Sequence, residues 1–229
     1  MPVSADVIIL GAGMAGASLA AELASHRSVL LLEMEDQPGR HATGRSAAMF
    51  FESYGNATVC ALTRASRAFL AQPPGPFADQ PLMAPRAALL VADAQALPRL
   101  DALLAAPGAL GAPTCLRRLS PTQALAQVPI LREATLAGAA LDESGADQDV
   151  AALHQGYLRQ ARRAGAQGVF GASEMTLARR HGQWLVRCRA GPGISAPRCW
   201  STPAAPGPMR WPAWPAWCRS ACSRCAAAQ

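Results

Sequence analysis

Six residues near the start, Gly11-Ala-Gly13-Met-Ala-Gly16, constrain this chain more than any other feature. They follow Asp6-Val-Ile-Ile-Leu10, a short β-branched run that reads as a buried parallel strand. They precede Ala17 to Ser25, where small and apolar residues recur at helical spacing, and a second apolar run, Ser28 to Leu32, then ends on Glu33. Strand, glycine turn, helix, strand and acid in that order form the fingerprint of a βαβ unit built for a dinucleotide. Gly11 permits the tight turn, Gly13 lets a pyrophosphate reach the backbone, and Gly16 lets helix and strand pack closely. The free N–H groups and dipole of the helix start favour the diphosphate. Glu33 is placed to accept both hydroxyls of an adenosine ribose, and its charge would repel a 2′-phosphate, which disfavours NADP. The plain alternative is a βαβ unit whose glycines serve packing alone.

Composition sets the outer limits. With 51% hydrophobic and 16% charged residues among 229, the chain buries a substantial core and is neither a disordered tail nor a disulfide-stapled mini-protein. Val7 to Ala24, the longest apolar stretch, is interrupted by three glycines and Glu22, so it does not read as a membrane span. The start, with Asp6 and strand-like character, does not read as a secretory signal. The expected location is cytoplasmic, with peripheral contact to the inner membrane face left open.

The body then alternates elements. Asn56 to Ala71 reads as a helix ended by Pro73 to Pro76. Leu82 to Ala92 reads as one strand, Ala94 to Ala105 as a helix, and Ser120 as the cap of another. Ala134 to Leu141 is strand-like, Asp142 to Gln148 turn-rich, and Asp149 caps a helix with Val150, Leu153, Tyr157 and Leu158 on its apolar face. Gly168 to Phe170, Glu174 to Ala178 and Trp184 to Cys188 read as strands. His154 and Tyr157, three apart on one helix, read as core packing, and His41 as exposed loop. Asp142, Glu143, Asp147 and Asp149 lack the ligand repeat and glycine of a calcium loop and read as a solvated turn plus a cap, so no metal site is expected. Cys60, Cys115 and Cys188 read as buried thiols.

Gly39-Arg-His41-Ala-Thr43-Gly44-Arg45-Ser46-Ala47-Ala48 follows the second strand, dense in small residues and backbone donors. Together with Tyr54-Gly55-Asn56, Ala61 to Phe69, Pro73-Pro74, Pro129 to Arg132 and Gly145 to Arg159, it makes residues 4–197 resemble the flavoprotein family of D-amino-acid oxidases and dehydrogenases, glycine oxidase and sarcosine oxidase. Within that family these segments look most like the D-arginine dehydrogenase group. The resemblance implies an α/β fold: a Rossmann-like FAD-binding domain of the glutathione-reductase type with an inserted, incomplete α+β substrate domain. It divides the chain into FAD-binding parts at 1–81 and 146–197, with the substrate domain at 82–145. It implies FAD as cofactor, held by Gly11, Gly13, Met14, Ala15, Gly16, Glu33, Thr43, Gly44, Arg45, Ser46, Ala47, Ala48 and Met175. It implies a substrate pocket that includes Met49, Tyr54 and Ala88. Met49 stands where a relative carries histidine, and Ala88 where selection of a guanidinium would need a carboxylate, so a small or apolar substrate side chain fits better. The implied reaction is oxidation of an amine or D-amino acid, with oxygen or a quinone-linked acceptor taking the electrons. An NAD-binding protein is disfavoured because no nicotinamide-side segment follows the fingerprint, and an inactive fragment that binds at most the ADP part of FAD is the alternative.

Composition changes near Pro197. Residues 198–229 hold four Arg and no acid, four of the five Trp and four of the seven Cys. The basic balance thus rests on a segment without helical or strand periodicity, and a nucleic-acid partner is not expected. Cys218, Cys222 and Cys225 have a cluster-ligating spacing, but the genetic code offers another account. Trp and Met each have one codon, and read one base earlier from the last base of the Arg198 codon the stretch becomes approximately VLVNAGGAWADAVAGLAG. That string supplies an apolar strand, a small-residue turn and a helix, and it resembles the family's next segment. Residues 198–229 are therefore expected to be a frameshifted, unstructured tail, with the rest of the substrate domain, a substrate-carboxylate arginine and a final flavin loop encoded in the other frame.

Overall fold

The computed structural model describes residues 3–105, 116–190 and 198–201. β1 (Val3–Ser4) and β2 (Val7–Leu10) lead through the glycine turn into α1 (Met14–Leu23), and β3 (Val29–Leu32) lies parallel to β2 with Val7 opposite Val29 and Leu10 opposite Leu32. The helix starts three residues earlier than its periodicity predicts, because the turn itself supplies its first residues. All four residues of β3 are buried. Side chains alternate across a strand, so Leu30 and Leu32 enter the core on one face and Val29 and Leu31 on the other.

The middle of the chain holds β4 (Met49–Phe50), α2 (Ala57–Ala71), β5 (Met83–Pro85), β6 (Ala88–Ala92), α3 (Leu97–Ala105), β7 (Leu116–Leu119), α4 (Pro121–Gln127), β8 (Gly138–Asp142) and β9 (Ala146–Gln148). Asn56 caps α2 by accepting the Val59 N–H at 3.0 Å. Ser120 and Gln123 form a reciprocal capping box on α4. The single strand predicted over 82–92 is two strands in different sheets: β5 pairs with β9, and β6 with β8. Pro85 cannot continue a ladder as a donor, and the Arg86 N–H turns instead to the Gly145 carbonyl. The strand predicted from Ala134 starts at Gly138, because a 3₁₀ turn at Glu133–Thr135 precedes it. β6, β8 and β7 form an antiparallel sheet, with α3 residues such as Leu100 packed on one face and α4 residues such as Ala124 on the other.

α5 (Val150–Arg163), capped by Asp149, returns the chain to β10 (Gln167–Val169), which pairs parallel with β3. α1 and α5 share the core face of Val29 and Leu31. The hairpin of β11 (Ala172–Arg180) and β12 (Gln183–Ala190) covers the opposite face through Ala172, Val186 and Cys188. One expectation needs correction. Arg198–Ser201 forms β13, parallel to β1 and antiparallel to β12, so the start of the segment expected to be unstructured is a strand. Ladder hydrogen bonds use only backbone N–H and C=O, so this pairing places little demand on side-chain pattern. Cys115 and residues 202–229, with Cys218, Cys222 and Cys225, lie outside the described residues. Among the described residues no helix is long and apolar enough to cross a membrane.

Candidate functional site

The glycine turn is held from three directions. Gly11 adopts φ +94°, and its N–H donates to the Leu32 carbonyl at 2.7 Å, tying the turn to the end of β3. The buried Glu33 carboxylate accepts the Ala12 N–H at 2.7 Å on Oε2 and the Glu35 N–H at 3.1 Å on Oε1. Both oxygens therefore have a backbone partner, and their second lone pairs are what remains for a ribose. Gly13, the N-cap of α1, offers no side-chain cap, and Thr43 Oγ1 takes that place by accepting the Met14 N–H at 2.9 Å. A side chain on Gly13 would press on this hydroxyl, since its Cβ would lie 3.1 Å away.

Residues 39–46 form a tight turn, with the Gly44 N–H on the Gly39 carbonyl at 2.7 Å and the Arg45 N–H on the His41 carbonyl at 3.1 Å. Gly44, Arg45, Ser46 and Ala47 are exposed along its outer edge. Ala48 is in the left-handed region at φ +56°, and its carbonyl accepts the Gln148 N–H at 2.7 Å. Gly11, Gly13, Met14, Ala15, Gly16, Glu33 and Thr43 thus meet at one end of β2 and β3. The Gly44–Ala48 segment leads away from them into β4. Met175 packs against the core cluster of Leu30 and Leu32, beside a β-bulge between Ser173 and Thr176, and Ala172 at the start of the same strand donates its N–H to the Glu33 carbonyl at 2.8 Å. The turn fits the ADP half of a dinucleotide, because nothing lies within 4 Å of a Cβ built on Gly11, Ala15 in the first turn of α1 is exposed, and a buried acid stands beside them.

Two of the three residues expected on the substrate side, Met49 and Ala88, pair with the two ends of the segment from Asp142 to Asp147: half-buried Met49 with Asp147, and Ala88 with Asp142. Tyr54 is 76% exposed on the turn after β4. Its neighbour Ser53 donates to Asp142 Oδ2, and Ser144 donates to Asp142 Oδ1 through its N–H at 2.9 Å and its hydroxyl at 2.6 Å. Asp142 is fully buried, which corrects its reading as part of a solvated turn. The reason is tertiary: two serines, one of them 89 residues away, supply the hydrogen bonds that water would otherwise give. Asp149 does cap α5, while Glu143 and Asp147 pair with Arg117 and Arg86. His154, read from sequence as packing, is buried and also hydrogen-bonds the glycine turn at the Ala12 carbonyl. A polar residue on the buried face of a helix was the signal for it.

Beside Tyr54, Glu52 accepts from Arg64 Nε at 3.0 Å and from Arg67 Nε, while Arg67 also reaches the Ser144 carbonyl. Burial by itself would raise the Glu52 carboxyl, but the hydrogen bonds and charges of Arg67 and Arg64 outweigh it and hold the group below its ordinary value near 4.5. A lowered folded-state pKa adds stability above the unfolded value, and that increment disappears as pH falls through the folded value. Glu52→Gln is thus expected to melt below the parent at neutral pH and to converge on it as pH drops under that ordinary value. Melting curves of both proteins across this range check it, and a gap that stays constant with pH would contradict it.

The profile of the family "DAO: FAD dependent oxidoreductase" matches residues 6–208. The chain belongs to this family of FAD-dependent oxidoreductases. Its fold agrees with solved structures at low sequence identity. Glycine oxidase from Geobacillus kaustophilus superposes with a TM-score of 0.68 at 19% identity, covering 81% of this chain and 52% of that one. L-proline dehydrogenase from P. horikoshii gives 0.68 at 14%, covering 87% and 52%. L-alpha-glycerophosphate oxidase from Mycoplasma pneumoniae, solved with FAD bound, gives 0.68 at 15%, covering 87% and 52%. The chain therefore spans about half the length of these structures. The family's cofactor is FAD, and the mixed α/β architecture around the glycine turn is its FAD-binding fold.

Proposed function

We propose that the chain is the cofactor-binding part of an enzyme that oxidises the Cα–N bond of an amine, foremost a D-amino acid. The product is an imino acid, which water hydrolyses to a 2-oxo acid and ammonia, and oxygen or a quinone-linked acceptor takes the two electrons. FAD, when bound, supplies the hydride acceptor for this chemistry. The observation that carries the reading is an unbroken series of contacts: the glycine turn on Glu33, the Thr43 turn capping α1, then Ala48 and Met49 bonded and paired to Gln148 and Asp147 of β9. On this reading Glu33 binds the ribose, the start of α1 binds the diphosphate, and the Gly44–Ala48 edge with Arg45 and Ser46 orients the ring system. Met49, Tyr54 and Ala88 line the substrate side. Ala88 offers no carboxylate, so the reading favours a small or apolar amino acid over arginine, although D-arginine dehydrogenases are the group that the sequence resembles.

The second reading is a fragment that binds at most the ADP part of FAD and has no turnover. It is favoured by the span of about half the length of the matching structures and by the alternative-frame translation after Pro197. One experiment separates the two. The chain is purified with FAD, its flavin spectrum is recorded, and small D-amino acids are added without oxygen. The same is done for the chain continued in the other frame, as defined by reading the gene through and beyond the codons for Ala196–Arg210. Flavin bands that bleach in this chain support the first reading. Flavin or ADP binding without bleaching here, but bleaching in the continued chain, supports the second. A colourless protein with no ADP affinity overturns both.

A further inference from the structure

The residue between the first two glycines is gripped at both ends by buried polar side chains from different parts of the fold. At one end the Ala12 N–H donates to Glu33, which follows β3. At the other, the Ala12 carbonyl lies 2.7 Å from Nε2 of His154, a residue of α5 that is 142 positions away and 3% exposed. A carbonyl oxygen only accepts, so Nε2 carries the proton and His154 is the donor. The same imidazole covers Gly39, where a Cβ would sit 2.9 Å from its Cε1 and 3.1 Å from its Nδ1. His154 therefore touches both segments of the cofactor surface, the glycine turn and the turn that carries Thr43.

We infer that His154 is a positioning residue for the diphosphate of the cofactor, acting through the Ala12–Gly13 peptide. The peptide is planar and trans, so its C=O and N–H point in opposite directions. With the Ala12 oxygen drawn inward onto His154, the Gly13 N–H is directed away from α5, outward from the core. This is the side on which α1 presents its N-terminus. Without the imidazole donor the Ala12 carbonyl keeps no hydrogen-bond partner among the described residues, and the peptide gains by rotating toward water. The outward N–H is then no longer preset, and an anion binding there must first order the turn. Glu33 alone does not secure this, because it holds the preceding peptide plane. The inference deepens the cofactor reading and rests on it.

His154→Gln and His154→Leu test it. A Gln amide nitrogen stands the same number of bonds from the backbone as Nε2 and can donate in its place, whereas Leu fills similar space without a donor. FAD titration followed by flavin fluorescence is expected to place His154→Gln within about threefold of the parent and His154→Leu at least about tenfold weaker. Equal binding by His154→Leu, or Gln as weak as Leu, overturns the assignment. A long-range ¹⁵N–¹H spectrum of the imidazoles in the cofactor-free parent gives a second, independent readout. An Nε2-protonated His154 whose proton exchanges slowly supports the inference, and an Nδ1-protonated ring overturns it. If the parent takes up no FAD, the cofactor reading fails while this spectrum still decides whether His154 holds the turn. If His154→Leu does not fold, the Gln titration and the spectrum decide it together: weak binding by Gln, or the Nδ1 form, overturns it.

Discussion

Gly16→Ala is expected to lower the melting temperature by roughly 6–12 °C and to remove FAD binding, while Gly75→Ala leaves both unchanged. A Cβ at Gly16 would fall 1.9 Å from the Gly11 carbonyl oxygen, 3.1 Å from its carbonyl carbon and 3.3 Å from Ile9 Cγ2. Two of these three are backbone atoms of the turn itself, so no side-chain rotation relieves the overlap. Either α1 moves off β2 or the turn opens. The first unpacks Ala17, Ala20 and Ala21, which are buried against Ile9 and Leu31 or beside them, and the second displaces the Ala12–Met14 backbone. Overpacking of this kind costs about 3 kcal/mol, a large share of a stability of about 5–15 kcal/mol. Gly75, by contrast, has nothing within 4 Å of its added Cβ and no positive φ. Thermal melts and flavin titrations of both variants provide the check. A Gly16→Ala protein that melts with the parent would mean that helix and strand do not approach as closely as described.

Gly16 also illustrates which parts of the fold are legible in the sequence. The turn at Gly11 to Gly16, the caps at Ser120 and Asp149 and the strand before Glu33 are each announced by residue types within a few positions of one another, so spacing and residue type suffice to read them. Elements whose state depends on distant pairing are read less well. Pro85 marks the break between β5 and β6 locally, but the pairing of the two pieces with β9 and β8 in different sheets, like the place of β13 between β1 and β12, is set by strands far along the chain. The site follows the same division. Gly13, Glu33 and Thr43 are visible as a motif and its sequel, and they do converge. His154 and Asp142 are not, because the partners that bury them lie 142 and 89 residues away. A run of four acids within eight residues has the composition of a solvated turn, and only tertiary contact selects the one that is enclosed.

That enclosed acid carries the other large effect. Asp142 sits at the end of β8, opposite Ala88, and its two oxygens accept from Ser53 and from both donors of Ser144. Asp142→Ala would leave two hydroxyls and one N–H without their acceptor in a buried site. Each unsatisfied group costs about 1–3 kcal/mol, so a loss of about 3–5 kcal/mol is expected after partial relaxation. Asp142→Asn keeps the shape and one acceptor, and the Ser53 hydroxyl can turn to accept from the new amide, so a loss of about 1 kcal/mol is expected. The damage should also be local. Ser53 is the anchor between β8 and the turn bearing Tyr54, whereas Glu52 remains held by Arg64 and Arg67 on α2. Amide exchange at Ser53 to Gly55 should therefore accelerate in Asp142→Ala beyond what the global loss explains, while α2 follows the global value. Urea unfolding and residue-resolved exchange on the two variants distinguish the cases. If Asp142→Ala stays within about 1 kcal/mol of the parent, the carboxylate is not holding this turn, and the position of Tyr54 must be set by the remaining contacts, those of Glu52 with Arg64 and Arg67 and of Cys60 with the Tyr54 carbonyl.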